Sequence, residues 1–152
     1  VQILREQGQR IELLLGGKAH NSLQLDQPGI RYLGNVPFAD VPYALAASDV
    51  LAIPYRRSPF MDAGASNKIA EAMACQRPIV ATRSPNLTAN FPQQAQELEP
   101  YLAESSQPSS LATVLAQQLL DRKLVAAPQN IYWSGITSTL EQDLKRLNHD
   151  PA

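Results

Sequence analysis

Four short apolar runs, Ile11–Leu15, Ile30–Leu33, Val50–Ile53 and Pro78–Ala81, are separated by segments with helical spacing. This alternation limits the fold more than any other feature of the chain. Strands of nearly continuous apolar character need cover on both faces, which parallel sheets receive from the helices that connect their strands. The expectation is an α/β fold with a mostly parallel sheet and helices on both faces.

The remaining segments fit that plan. Val1–Gly8 reads as the last turns of a helix closed by a glycine. A polar stretch after Gly16-Gly17 has room for a short helix, and Pro28-Gly29 turns the chain into the second run. Asp40 is placed to cap a helix through about Ala47. Tyr55–Ala65 reads as a loop and Asn67–Cys75 as a helix. A weaker strand is expected in Gln96–Ala103, inside a Gln- and Ser-rich loop running from Ala89 to Pro108. Leu111, Val114, Leu115 and Leu119 mark one amphipathic helix, and Ile136, Leu140, Leu144 and Leu147 mark the last.

A chain of 152 residues, 44% hydrophobic, suits one cored domain. Residues 1–147 are assigned to it and 148–152 to a tail. With 13 basic and 14 acidic side chains, the net charge of -1 provides no field for nucleic acid. The lone cysteine, Cys75, excludes an internal disulfide and a cysteine-based zinc cluster, and reads as core. No apolar run reaches the roughly 18 residues of a membrane span. No Ser/His/Asp set or metal-ligand spacing is present. His20 reads as a surface residue of a polar loop and His149 as part of a frayed terminus, while Tyr132-Trp133 is expected to pack.

Ligands of open parallel sheets bind outside the carboxyl ends of the strands. The loop after Val50–Ile53 leads to the Asn67–Cys75 helix, on which Ile69, Ala72 and Met73 share one side and Asn67, Lys68 and Glu71 the other. Gly64, Ala65 and Ser66 keep side chains small where unpaired N–H groups emerge, a setting that favours an anion such as a diphosphate. Glu71 lies four residues beyond Asn67, roughly 6 Å along the axis, about one step from a phosphate to its ribose. The plainer alternative is an ordinary helix start with an ion pair between Lys68 and Glu71. Arg56 and Arg57, in the adjoining loop, are candidate phosphate contacts.

The string from Gly64 to Thr82 resembles the donor-site segment of family 4 glycosyltransferases, N-K-x-x-E-x-M-A-x-G-x-P, then Ile or Val, V-A, and Thr or Ser. In order along the chain, Ile11–Gly17, Ile30–Val36, Tyr43–Pro54, Pro100–Leu120 and the Tyr132-Trp133 helix also resemble family segments. The resemblance implies the donor-binding half of a GT-B enzyme with a Rossmann-like sheet. It implies retaining sugar transfer from a nucleotide-diphosphate sugar with no required metal or cofactor, in carbohydrate biosynthesis. Glu71 matches the residue that binds the donor ribose. Asn67 and Lys68 match the diphosphate end, and Gly34-Asn35-Val36 matches the backbone contacts to the base.

Three features depart from the family pattern. Ala63, with Asp62 adjacent, stands where many members carry a second glutamate for the sugar. Gln76 replaces the helix-ending glycine, so a left-handed non-glycine residue is expected there. The family's first strand, with the loop supplying an Arg and a Lys, and the acceptor-binding domain are expected before Val1. The 152 residues alone are therefore expected to be inactive. They should be poorly folded, pair Ile11–Leu15 directly with Val50–Ile53, or borrow a strand. The expected location is the cytoplasm, with membrane contact, if any, through the other domain. A nucleotide-sugar epimerase and a non-catalytic binding or assembly domain are the alternative functions.

Overall fold

The computed structural model describes residues 1–64 and 66–149, with side chains as far as Arg146. The first part of the chain forms α1 (Gln2–Glu6), β1 (Leu13–Gly16), β2 (Ile30–Gly34), α2 (Val41–Ala46), β3 (Leu51–Ile53) and α3 (Pro59–Ala63). There follow α4 (Asn67–Ala74), β4 (Ile79–Thr82), α5 (Pro85–Asn90), α6 (Pro92–Glu97), β5 (Leu102–Ala103), α7 (Pro108–Asp121) and α8 (Trp133–His149). The fold is α/β and every strand pairing is parallel.

The strands nevertheless form two sheets where one is expected, β1–β2 and β3–β4–β5. Leu13 N–H donates to Gly29 O and Leu51 N–H to Pro78 O, each at 2.8 Å. In a parallel ladder alternate residues address opposite neighbours, so Leu14 and Ala52 turn their backbone groups to the outer edges. Direct pairing of β1 with β3, one of the expected outcomes, does not occur among the described residues.

The main core lies on the three-stranded sheet. All four residues of β4 are buried, and since successive side chains point to opposite faces, both faces there are covered. Ile69, Ala72 and Met73 of α4, Leu87 of α5 and Ala95 of α6 join Leu51, Ile53 and Val80 in one cluster. Fully burying a side chain such as Met73 contributes about 1.5–3 kcal/mol. The end of α7 is held by the buried Gln118, whose Nε2 donates to Ile79 O and Lys123 O while its Oε1 accepts from Lys123 N–H. α1 joins the two parts: Leu4 is buried, the helix lies against α7, and Arg5 Nη1 donates to Ile11 O at 3.1 Å.

Several local expectations are corrected. Gln96–Ala103 holds the expected weak strand at Leu102–Ala103, but the loop expected before it is largely helical, because Pro92 starts α6 and Pro100 has no N–H to give a ladder. The polar stretch after Gly17 forms no helix; the His20 ring bonds Ser22, and such local bonds compete with helix formation. The Tyr55–Ala65 loop contains α3, which starts at Pro59 with Ser58 as its cap. Asp40 precedes α2 without capping it through its side chain. Cys75 is half-buried, and Trp133, expected to pack, is 81% exposed. The expected turn at Gln76 is present, with φ of 51°. α8 extends to His149, whose side chain lies outside the described residues, as does Ala65.

Candidate functional site

The start of α4 is fixed from two directions. Ser66 Oγ accepts from Ile69 N–H at 3.4 Å, capping the helix, and stands 2.7 Å from the Tyr55 hydroxyl. Ser66 is buried, so the Tyr55 contact ties the end of β3 to the helix start. With Ile69, Ala72 and Met73 in the core, Asn67, Lys68 and Glu71 all face solvent. Lys68 and Glu71 form no ion pair with each other or with any other described residue, while the ordinary Ser-capped helix start of the plainer alternative is present. The arrangement is a rigid apolar anchor presenting N–H groups, an ammonium and a carboxylate along one outward face.

The approach to that helix is held by α5. Asn86 Nδ2 donates to Met61 O at 2.9 Å and Asn90 Nδ2 to Gly64 O at 3.2 Å. Asn86 Oδ1 is buried and finds no partner among the described residues. Sequence reasoning missed Tyr55, Asn86 and Asn90. Their role depends on contacts across 11 to 26 residues, and only the Tyr55 position, directly after a strand, carries a local signal.

The two loop arginines separate. Arg57 Nε bonds both carboxylate oxygens of Asp62, at 2.8 and 2.9 Å, and its N–H donates to Ser105 Oγ, so Arg57 and Asp62 brace the loop. Arg56 has no such partner among the described residues and lines an open cleft at the carboxyl ends of β3, β4 and β5. Nearby, Arg83 bonds Glu99 and reaches Glu104 at 3.5 Å. The Glu99 hydrogen bond is the main cause holding its guanidinium above the usual value, with the charges of Glu99 and Glu104 adding to it. The remaining candidates, Gly34-Asn35-Val36, leave the other sheet, and Val36 packs so closely on Gly16 that a Cβ there would sit 2.9 Å from it.

A family model for glycosyl transferases group 1 matches residues 1–121, from α1 to the end of α7, and includes both sheets and every candidate residue. The chain belongs to that family. No curated protein matches it significantly. As a group 1 glycosyl transferase domain it serves the transfer of a sugar from a donor to an acceptor. No helix among the described residues is long and apolar enough to cross a membrane.

Proposed function

We propose that this domain binds a nucleotide-diphosphate sugar at the start of α4, in an enzyme that transfers the sugar with retention. The observation that carries the reading is the outward face of Asn67, Lys68 and Glu71 on a helix whose other face is locked in the core. The diphosphate takes the N–H groups that follow Gly64, where the helix dipole and Lys68 supply positive charge without a metal or cofactor. Glu71 accepts from the ribose hydroxyls, and Gly34-Asn35-Val36 offers backbone to the base. Asp62 stays with Arg57 and orders the loop beside the sugar.

The acceptor is assigned to a second domain, and the outer edges of β1 and β3 support a further strand seated between them. On this reading residues 1–152 alone have no transferase activity. A free Cys75 suits a cytoplasmic location, with any membrane contact left to the second domain.

In the intact enzyme, Glu71→Ala should weaken donor binding by about 1.5–3 kcal/mol, the range for hydrogen bonds to charged groups. Calorimetry with uridine, guanosine and adenosine diphosphates and their sugars measures this. Unchanged affinity in a folded variant would remove the ribose role.

A further inference from the structure

None of the residues lining the open cleft at Arg56 belongs to α4. The cleft's volume is about 440 Å³, within the range of small-molecule sites. Three features of its wall point to one ligand chemistry. Arg56 brings a guanidinium that no carboxylate answers among the described residues, since Glu104, the acidic residue of the wall, lies with Arg83. Thr82 is only 5% exposed, yet its hydroxyl takes part in none of the hydrogen bonds among the described residues, and the residue lines the cleft. Gln107 and Pro108 bring the start of α7, a helix of 14 residues whose N-cap side chain makes no capping bond. Ser106, also in the wall, is held at φ of 60°, a conformation uncommon for a residue with a side chain.

A cation without a carboxylate partner, a hydroxyl without a hydrogen bond and the positive end of a long helix favour an oxyanion. The carboxyl ends of parallel strands are where substrates meet such sheets. We propose that this cleft binds an anionic group on a sugar substrate, a carboxylate or a phosphate, with Arg56 as its charge partner and Thr82 as a hydrogen-bond donor. The site favours acidic sugars among the substrates. The inference rests on the proposed transferase function and adds a substrate class to it.

Amide chemical shifts of the intact protein at low salt, on titration with glucuronate and separately with orthophosphate, test it. Either anion should move Thr82 and the Ser106–Leu111 turn. A stronger response to glucuronate identifies a sugar carboxylate, and a stronger response to orthophosphate identifies a phosphorylated substrate. Arg56→Gln should weaken the binding tenfold or more, and Arg56→Lys, which keeps the charge, should retain part of it. Arg56 is exposed, so both variants should keep the fold. Absence of shifts at this turn with both anions, or equal affinity in Arg56→Gln, would overturn the proposal. Uridine diphosphate added to the same sample reports on Ser66–Glu71 instead, so failure of the donor site and failure of this cleft give different spectra.

Discussion

β1 and β4 are both short parallel strands of four residues, yet their surroundings differ sharply. Every residue of β4 is buried, whereas Leu13, Leu14 and Leu15 of β1 are half-buried and Tyr32 and Leu33 of β2 are exposed. β4 lies between two strands, with α7 packed on it and α4 joined to it in one core. β1 and β2 pack mainly on each other. Apolar sequence supplies the tendency to bury, but burial requires layers on both sides, and a two-stranded unit by itself is marginal.

The backbone shows the same division. The glycines at positive φ are Gly8, Gly17, Gly29 and Gly34, all in the first part of the chain. Among the described residues, those with side chains at positive φ are Gln76, Ser106 and Arg122, which follow α4, β5 and α7 on the side of the three-stranded sheet. A left-handed residue with a Cβ costs roughly 1–2 kcal/mol, and since all three are exposed, the cost is sustained by the packed elements they connect.

The largest expected contrast is in stability. Met73→Ala should cost about 2–5 kcal/mol, as deep core truncations do, and Leu14→Ala should cost about 1 kcal/mol at its half-buried position. Denaturant melts of the two variants compare them directly, and equal losses would break the distinction between the sheets. Amide exchange should agree with the melts, slowest at Val80 and faster at Leu14.

A smaller effect tests the backbone contrast. Gln76→Gly should stabilise the chain by up to about 1 kcal/mol by relieving the left-handed turn, and Gly34→Ala should destabilise it by about 1–2 kcal/mol. Thermal melts with the same sign for both substitutions would contradict the account.

The smallest effect depends on pH and belongs to the three-stranded side. Asp121 accepts from Gln117 and from the Tyr101 hydroxyl, each at 2.7 Å, and these bonds hold its carboxyl below the usual value. The same contact with Asp121 raises the Tyr101 phenol, and burial adds to the shift. A lowered carboxyl stabilises the fold above its unfolded value and loses that contribution as pH falls through the native one. A raised phenol loses its contribution as pH rises through its own native value. Tyr101→Phe should therefore flatten the dependence of melting temperature on pH at both ends. An unchanged profile would show that the bond has no weight in stability.

Much of the fold was legible because it rests on local pattern. Each of the four apolar runs overlaps an observed strand, whose ends agree within two residues. The α4 helix was legible because the spacing of Ile69, Ala72 and Met73 defines a buried face, which also assigns Asn67, Lys68 and Glu71 to the opposite side. The weak strand expected in Gln96–Ala103 is present at Leu102–Ala103, but the helices before it are hidden in the sequence because the apolar residues there carry no clear period, and the prolines at 92 and 100 decide the conformation. Trp133 was misread because a large aromatic residue packs only where a neighbour receives it, and α8 lies mainly against the turn at Gln129–Ile131.

Sequence alone determined the class of fold, the strands, the family resemblance and the polar face of α4, since all of these follow from residue type and short-range spacing. Tertiary structure decided which arginine is free. Arg56 and Arg57 are adjacent and identical in kind, yet Asp62 and Ser105 hold Arg57 while Arg56 lines a cleft. It also decided that the strands divide into two sheets, and that Tyr55, Asn86 and Asn90 secure the approach to α4. Pairing, burial and side-chain bonds between distant segments depend on where the whole chain brings them, and local propensity does not encode that.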